Sequence, residues 1–321
     1  MPMRAPLAPL LPRGAEPGGP PAAAPPVREP VRLAEAPPPT ALSATPATAP
    51  RRAASGAVRR VREHAVSTLL AACSLASMVL VWHLATTYRV DFYVRFTNIP
   101  TPADVLQSLL LAGQNGQFMG NVGMSLRRIM LGFAIALGLG VALGVLIGRY
   151  RPVRQLLFPA LETLRPIPAI AWVPISIMLW PDNEVSIVFI TFIGAFFPIL
   201  LSTVAGVDAV DPVLLRAAQC LGARERQIMW YVVLPGAAPQ IFTGLAVGMG
   251  VAWVSLIAAE MISGQFGIGY FTWESYSLIS YADIVLGMIT IGVLGLACSW
   301  AIRMVGKLLL PWLQFTQSGG R

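Results

Sequence analysis

About six apolar stretches, each near 20 residues long, constrain this chain more than any other feature of its sequence. An α-helix rises about 1.5 Å per residue, so a helix of that length crosses the ~30 Å hydrocarbon core of a bilayer. Such a helix also satisfies its own backbone hydrogen bonds, as lipid surroundings require. We therefore predict an all-α fold, a polytopic bundle of about six transmembrane helices. The predicted spans are 65–86, 129–148, 156–179, 185–207, 244–262 and 284–305.

The composition excludes a soluble globular protein. Of the 321 residues, 55% are hydrophobic and 12% are charged, whereas about a quarter are charged in an average soluble domain. Basic residues outnumber acidic ones by 23 to 15, and an excess of this kind is typical of the cytoplasmic loops of membrane proteins. We therefore expect membrane lipid and no nucleic acid as a partner. The three scattered cysteines indicate neither a disulfide framework nor a metal site.

The distribution of charge predicts the orientation of the chain. Arginines precede the first span and follow the second and the fourth, whereas the loops 180–184 and 263–283 contain acidic residues and no basic ones. By the positive-inside rule, both termini lie in the cytoplasm. Only the first outer segment runs against the rule, with Arg127 and Arg128 among its basic residues.

The chain divides into four predicted regions. Residues 1–60 are rich in Pro, Ala and Arg and should form a disordered cytoplasmic extension, because they cannot bury enough apolar surface to offset their chain entropy. Residues 61–94 are the first transmembrane helix and an outer loop, 95–313 the core, and 314–321 a cytoplasmic tail. Within the core, Thr101-Pro102-Ala103-Asp104 predicts the start of a short amphipathic helix on the outer face.

The polar loop 208–235 separates two of the spans. Asp211-Pro212 predicts a helix start, and Gly222 predicts its end in a left-handed conformation. A second helical piece should cover 224–233 and break at Leu234-Pro235. Two short helices that meet at a glycine would form a compact projection for a groove on a partner protein. An ordinary interfacial helix is the alternative.

This loop resembles the EAA loop of the membrane subunits of binding-protein-dependent bacterial ABC importers. The family pattern is Glu-Ala-Ala, three residues, Gly, nine residues, Ile, one residue and Leu-Pro. The register holds here, with Val232 at the Ile position and Arg216 in place of Glu. The resemblance implies that the loop couples the membrane subunit to a separate ATPase. The residues it assigns to coupling are Arg216, Ala217, Ala218, Leu221, Gly222, Ala223, Leu234 and Pro235.

Four further segments are similar to the same family, and most of them to its nitrate/sulfonate/taurine branch. They are Ser125-Leu126-Arg127-Arg128 followed by Gly132-Phe133, Leu164-Arg165-Pro166-Ile167-Pro168 with Ala171-Trp172 and Pro174, Gly194-Ala195-Phe196-Phe197-Pro198, and Ala259-Glu260 with Gly267-Ile268-Gly269-Tyr270.

The resemblance implies a MetI-like type I ABC importer permease of the bacterial inner membrane. It implies cytoplasmic ATPase subunits that bind ATP-Mg, a periplasmic solute-binding protein and a homodimer of this chain. The solute would be an oxyanion or sulfonate such as nitrate, taurine or an alkanesulfonate. The chain itself should not hydrolyse ATP, because its only lysine, Lys307, lacks the glycine-rich context of an ATP-binding loop. We expect it to be a transport subunit and no enzyme, and to bind no cofactor.

The third predicted span is interrupted by prolines, which remove helix hydrogen bonds. Such a helix near the bundle axis could line a translocation pathway, although a static kink explains it equally well. The candidate pathway residues are Pro166, Pro168, Trp172, Pro174 and Phe197.

An ion-gradient secondary transporter and a membrane scaffold are the alternative functions. A gradient-driven carrier usually needs ionisable groups deep in its spans. Only Arg165 and Glu260 are candidates, and both lie near predicted span ends. We expect Glu260 to reach the interface and to serve as an anchor or a helix contact.

Overall fold

The computed structural model describes residues 51–88, 98–263 and 265–310, and for 51–64 it describes the backbone alone. The chain divides into the units Met1–Glu63 and His64–Arg321, and all the packing below lies within the second. The described residues form helices and no strands. The helices are α1 Arg51–Thr87, α2 Pro102–Gln114, α3 Gly116–Arg149, α4 Arg151–Leu164, a 3₁₀ turn Ala169–Trp172, α5 Val173–Leu179, α6 Asn183–Asp208, α7 Pro212–Cys220, α8 Glu225–Ile228, a π-helical segment Met229–Val233, α9 Leu234–Ser263, α10 Ile268–Ser277 and α11 Tyr281–Leu309.

Five of the predicted spans are confirmed as continuous helices of spanning length. They are Ala65–Thr87 within α1, α3, α6, the segment Glu225–Ser263 that ends in α9, and α11. Most extend beyond the predicted limits, because polar residues at a helix end lower the local hydropathy without ending the helix. α1 begins at Arg51, inside the region predicted to be disordered up to residue 60. No proline follows Pro50 there, so nothing in the sequence stops the helix. The predictions for 1–50 and 314–321 lie outside the described residues.

The third predicted span, 156–179, is wrong as a single helix. It consists of α4 and the segment Ala169–Leu179, which meet at an angle of 87°. Pro166 and Pro168 lack a backbone N–H and so cannot donate the hydrogen bonds that would continue α4. Arg165 still has helical dihedral angles, whereas Pro168 is extended. The break at the prolines is therefore confirmed, and it is a sharp corner.

The packed centre of the second unit consists of α3, α6 and α9, with α6 packed along both of the others. Small residues allow this close approach. The glycines 140, 144 and 148 of α3 face Ile199, Thr203 and Val207 of α6, four residues apart on both helices. A Cβ atom at Gly144 would lie 2.6 Å from Thr203 Cβ, well inside van der Waals contact. Glycines spaced in this way are typical of tightly packed membrane helices.

The predicted start of α2 is confirmed in detail. Thr101 Oγ1 accepts a hydrogen bond from the Asp104 N–H at 3.3 Å, and Asp104 Oδ2 accepts one from the Thr101 N–H at 2.9 Å. The hydrogen bonds from Thr101 lower the pKa of Asp104 below its usual value of 3.8. Ser108 hydrogen-bonds Asp283 at the start of α11, so α2 is attached to the last helix of the bundle.

Candidate functional site

The loop between α6 and α9 folds into two short helices and a tight corner; we call residues 211–228 the knob. Asp211 caps α7, because its Oδ1 accepts the Val213 N–H at 2.7 Å. Gly222 has φ +78°, as predicted, and its N–H donates to Gln219 O. The Ala223 N–H donates to Ala218 O at 3.0 Å. This pair of bonds is the Schellman arrangement, in which a left-handed glycine closes a helix.

The predicted break at Leu234-Pro235 is wrong. Helical structure continues from α8 through the π-helical segment into α9. The Leu234 N–H donates to Met229 O, five residues back. This wide turn lies directly before Pro235, and π-bulges of this kind are a recognised way to accommodate a local disturbance within a helix. The knob is therefore joined to a membrane helix without interruption.

The knob presents small and apolar side chains on its outer surface and is anchored on its inner one. Ala217 and Gly222 are exposed, and Leu221 is 89% exposed. Ala218 and Ala223 are half-buried against the hydrophobic core, and Ile228 is buried within it. The predicted coupling residues are thus close together at the corner, except Leu234 and Pro235, which start α9.

Two ion pairs attach the loop to neighbouring helices. Arg149 at the end of α3 pairs with Glu225 at 2.6 Å, and Arg154 of α4 pairs with Asp208 at 2.9 Å. Arg216, the residue at the family's Glu position, donates from Nε to Pro212 O at 3.3 Å. It has no carboxylate partner among the described residues.

A cleft of about 280 Å³ lies at the corner of the broken third span. Of the predicted pathway residues, Pro168 and Phe197 line it, whereas Pro166, Trp172 and Pro174 do not. Arg165 is the only charged residue of its lining. The guanidinium of Arg165 also pairs with Glu162 at 3.1 Å, on the exposed side of α4. The remaining lining residues are Ile167, Ala169, Ile193, Gly194, Pro198, Leu201 and Val251.

A buried ionic cluster connects α3, α6 and α9. Arg128 Nη1 donates to Glu260 Oε1 at 2.9 Å, and Arg128 also pairs with Glu184. The Arg128 side chain is 1% exposed and that of Glu260 is 0% exposed, whereas Glu184 is 33% exposed. Each charge of the buried pair is therefore compensated by a direct partner, as burial in a low dielectric requires.

The turn between α9 and α10 completes this cluster. The Gly269 N–H donates to Glu260 Oε2 at 2.9 Å, and Ser125 Oγ donates to Glu260 Oε1 at 2.8 Å. Ser125 Oγ also accepts the Ile268 N–H at 2.9 Å. Gly267 has φ +130°, and a Cβ atom there would collide with the Glu260 carboxylate.

The cluster corrects one expectation and explains an exception. Glu260 does not reach the interface, because its carboxylate is enclosed by Arg128, Ser125 and the Gly269 N–H. The predicted helix-contact role is confirmed. Arg128, which runs against the positive-inside rule in the predicted orientation, is neutralised in place by Glu184 and Glu260. Two of the family motifs, at 125–133 and 259–270, supply most of the cluster, so the motifs contained a signal for this contact.

The chain matches, over residues 134–315, the family described as the binding-protein-dependent transport system inner membrane component. It is 34% identical over 245 residues to the taurine transport system permease protein of Escherichia coli, covering 74% of this chain and 88% of that protein. It is 32% identical over 249 residues to the nitrate import permease protein of Synechocystis sp., with coverages of 75% and 88%. It is 39% identical over 173 residues to the bicarbonate transport system permease protein of Synechococcus elongatus, with coverages of 54% and 62%.

A solved structure supports the fold. The crystal structure of an amino acid ABC transporter with histidines matches with a TM-score of 0.50 and 18% sequence identity, covering 63% of this chain and 97% of that chain. The predicted all-α fold and the predicted family are both confirmed. The chain belongs to the inner-membrane components of binding-protein-dependent transport systems and is the membrane permease subunit of an ABC importer.

Proposed function

We propose that this permease imports a small oxyanion and that a separate ATP-hydrolysing subunit drives it through the knob. The observation that carries the coupling proposal is the corner at Gly222. α7 ends and α8 begins at this corner, which forms a projection with exposed Ala217 and Leu221 in the register of the family's coupling loop. A groove on a partner can approach the backbone closely at such small residues.

The attachment of the knob supports a lever-like mechanism. From Glu225 the helical path continues through 39 residues to Ser263, and Ile228 fixes its start in the core. A displacement of the knob therefore moves a membrane helix as a rigid element. ATP-driven closure of the partner subunits would shift the bundle between inward-open and outward-open packings.

The names of the relatives support the substrate class. Taurine, nitrate and bicarbonate each have a delocalised oxyanionic group, and the relatives named for them are permeases. An anion that crosses an apolar bundle needs a positive partner. Arg165 is the one charge in the cleft lining, and a guanidinium can bind two oxygens of an oxyanion at once. We assign solute contact to Arg165 and Phe197, and much of the selectivity to the separate binding protein.

The assembly around this chain follows from the same proposal. A second copy of the chain would complete the pathway, a solute-binding protein would dock on the periplasmic side, and ATP-Mg would bind to the ATPase subunits. Arginines occur where α3 meets α4 and in the knob, and they support a cytoplasmic knob with both termini inside. They are Arg149, Arg151 and Arg154, and Arg216, Arg224 and Arg226. The exposed apolar side chains of α1, among them Leu69, Leu70 and Leu75, suit contact with lipid.

The alternative functions receive less support. A gradient-driven carrier needs titratable groups that can bind and release a coupling ion. The buried Arg128 is committed to two carboxylates, those of Glu260 and Glu184. A scaffold would use the same knob to bind a partner but would transport no solute, so an uptake assay distinguishes a scaffold from a permease.

The test is ATP-dependent uptake in proteoliposomes that contain the full chain, its ATPase subunits and its binding protein. Taurine, nitrate and bicarbonate serve as probes. Gly222→Asp should reduce uptake to background while the protein stays inserted, because a β-carbon is strained at φ +78° and adds bulk at the corner. The matched control is Gly113→Asp, whose new side chain also meets open space but lies in α2. Normal uptake and normal retention of the ATPase by Gly222→Asp would refute the coupling role.

A further inference from the structure

The carboxylates of the loop 208–235 are all engaged within the protein. Asp208 pairs with Arg154 and Glu225 with Arg149. Asp211 accepts the Val213 N–H as the cap of α7. No other acidic residue occurs in this loop.

The three arginines of the knob have no such partners. Arg216, Arg224 and Arg226 are exposed, and in the described part of the chain none of them forms an ion pair. Guanidinium groups stay charged at any physiological pH. The engaged acids therefore leave an excess of positive charge at the tip of the projection.

The surroundings of these charges favour a protein partner over a lipid surface. A helix that lies on lipid separates an apolar face from a charged one. On α7, Arg216 follows Val213 by three residues and so shares its face, and Val213 is itself exposed. The corner adds exposed Leu221 beside Gly222. An apolar centre with arginines around it is typical of a protein–protein interface.

We propose that the ATPase groove which receives the knob is acidic, and that carboxylates in it pair with Arg216, Arg224 and Arg226. This inference rests on the proposed coupling function and adds the sign of the charge on the partner. Carboxylates are the natural complement, because the arginine fork binds their two oxygens together. Opposite charges would also steer the two subunits to each other and would select against an ATPase whose groove is basic.

The test measures how much ATPase subunit the purified full-length permease retains in detergent. The measurement is made at about 0.1 M and about 1 M salt, where the Debye lengths are ~10 Å and ~3 Å, so that high salt screens attraction between charges on the two subunits. Wild type should lose ATPase at high salt. Arg216→Glu should weaken binding at low salt by about tenfold or more, and the Arg216→Glu, Arg224→Glu, Arg226→Glu triple variant should abolish it. Arg151→Glu is the matched control, since Arg151 is exposed on α4, outside the knob.

Reversal of acidic residues in the ATPase groove to Arg should restore binding of the Arg216→Glu variant, which a misfolded permease could not do. Salt-independent binding with no effect of the triple variant would overturn the acidic groove and leave coupling by shape intact. The acidic groove would also be overturned if the triple variant lost co-purifying anionic lipid and kept its ATPase. If wild type retains no ATPase at either salt concentration, the proposed coupling function itself fails.

Discussion

Replacement of Glu260 by Gln should destabilise the bundle more than any other single change of a carboxylate to an amide in the described residues. Both carboxylate oxygens accept hydrogen bonds, from Arg128, Ser125 and the Gly269 N–H. The amide of Gln would turn an NH₂ group toward at least one of these donors. It would also remove the charge that compensates buried Arg128.

The expected cost follows from the burial of the pair. Arg128 and Glu260 are 1% and 0% exposed, and loss of one partner of a buried ion pair costs about 3–5 kcal/mol. Glu184 stays beside Arg128 and keeps part of the compensation, so we expect about 3 kcal/mol. At about 1.4 kcal/mol per factor of ten, the folded fraction relative to the unfolded one falls roughly 100-fold.

The assay is reversible unfolding of the purified chain in mixed micelles, followed by circular dichroism and tryptophan fluorescence. Glu162→Gln is the matched control, because it breaks the exposed pair between Glu162 of α4 and Arg165 just after that helix and should cost below about 1 kcal/mol. The double variant Arg128→Met, Glu260→Met should recover part of the loss, since it removes the fully buried pair together and leaves unpaired only Glu184, which is 33% exposed. Equal stability of Glu260→Gln and Glu162→Gln would refute the argument and indicate that water reaches Glu260.

Two further predictions concern helix packing and orientation. Gly144→Leu should reduce the amount of folded permease by at least several-fold, because a side chain there would collide with Thr203 and overpacking costs about 1–3 kcal/mol or more. Gly138→Leu on the same helix should be tolerated, because a Cβ atom there meets nothing within 4 Å. Equal loss of folded protein in both variants would contradict the close packing of α3 on α6. Orientation is tested with two variants, each with a single cysteine, one at residue 183 and one at the native Cys220, which is exposed in α7. The thiol at residue 183 should react with a membrane-impermeant reagent added outside, and Cys220 only with reagent added inside. The reverse pattern would invert the proposed orientation.

Local rules predicted the parts of this fold that depend on neighbours in sequence. Hydropathy located five spans, and cap chemistry located the starts of α2 and α7 at Thr101 and Asp211. The left-handed glycine at 222 was predicted for the same reason, since only a residue without Cβ takes that conformation at no cost. Each of these features is decided within one or two helical turns.

Features that depend on contacts distant in sequence could not be predicted in the same way. Glu260 looked like an interfacial residue because its partner Arg128 is 132 residues away. The angle of the corner at Pro166 and Pro168 depends on how α5 packs against α6, whereas the prolines specify only that the helix breaks there. The continuity through Leu234-Pro235 depends on the π turn directly before the proline, and such a turn has no strong sequence signature.

Under the proposed coupling role, the positions of the knob and of the ionic cluster indicate how a displacement of the knob reaches the opposite end of the bundle. The helical path from Glu225 to Ser263 has the knob at its start and Glu260 near its end. Along its length α9 packs on α6, and α6 packs on α3 across the glycines 140, 144 and 148. Helices in such close contact, joined at one end by Arg128, Glu184 and Glu260, should move as one body. At the corner of the broken third span, Pro166 and Pro168 donate no backbone hydrogen bond, and Pro168 lines the cleft. Opening and closing would therefore concentrate at this corner, so that the rigid core transmits the movement and the proline-rich segment converts it into a change in the cleft.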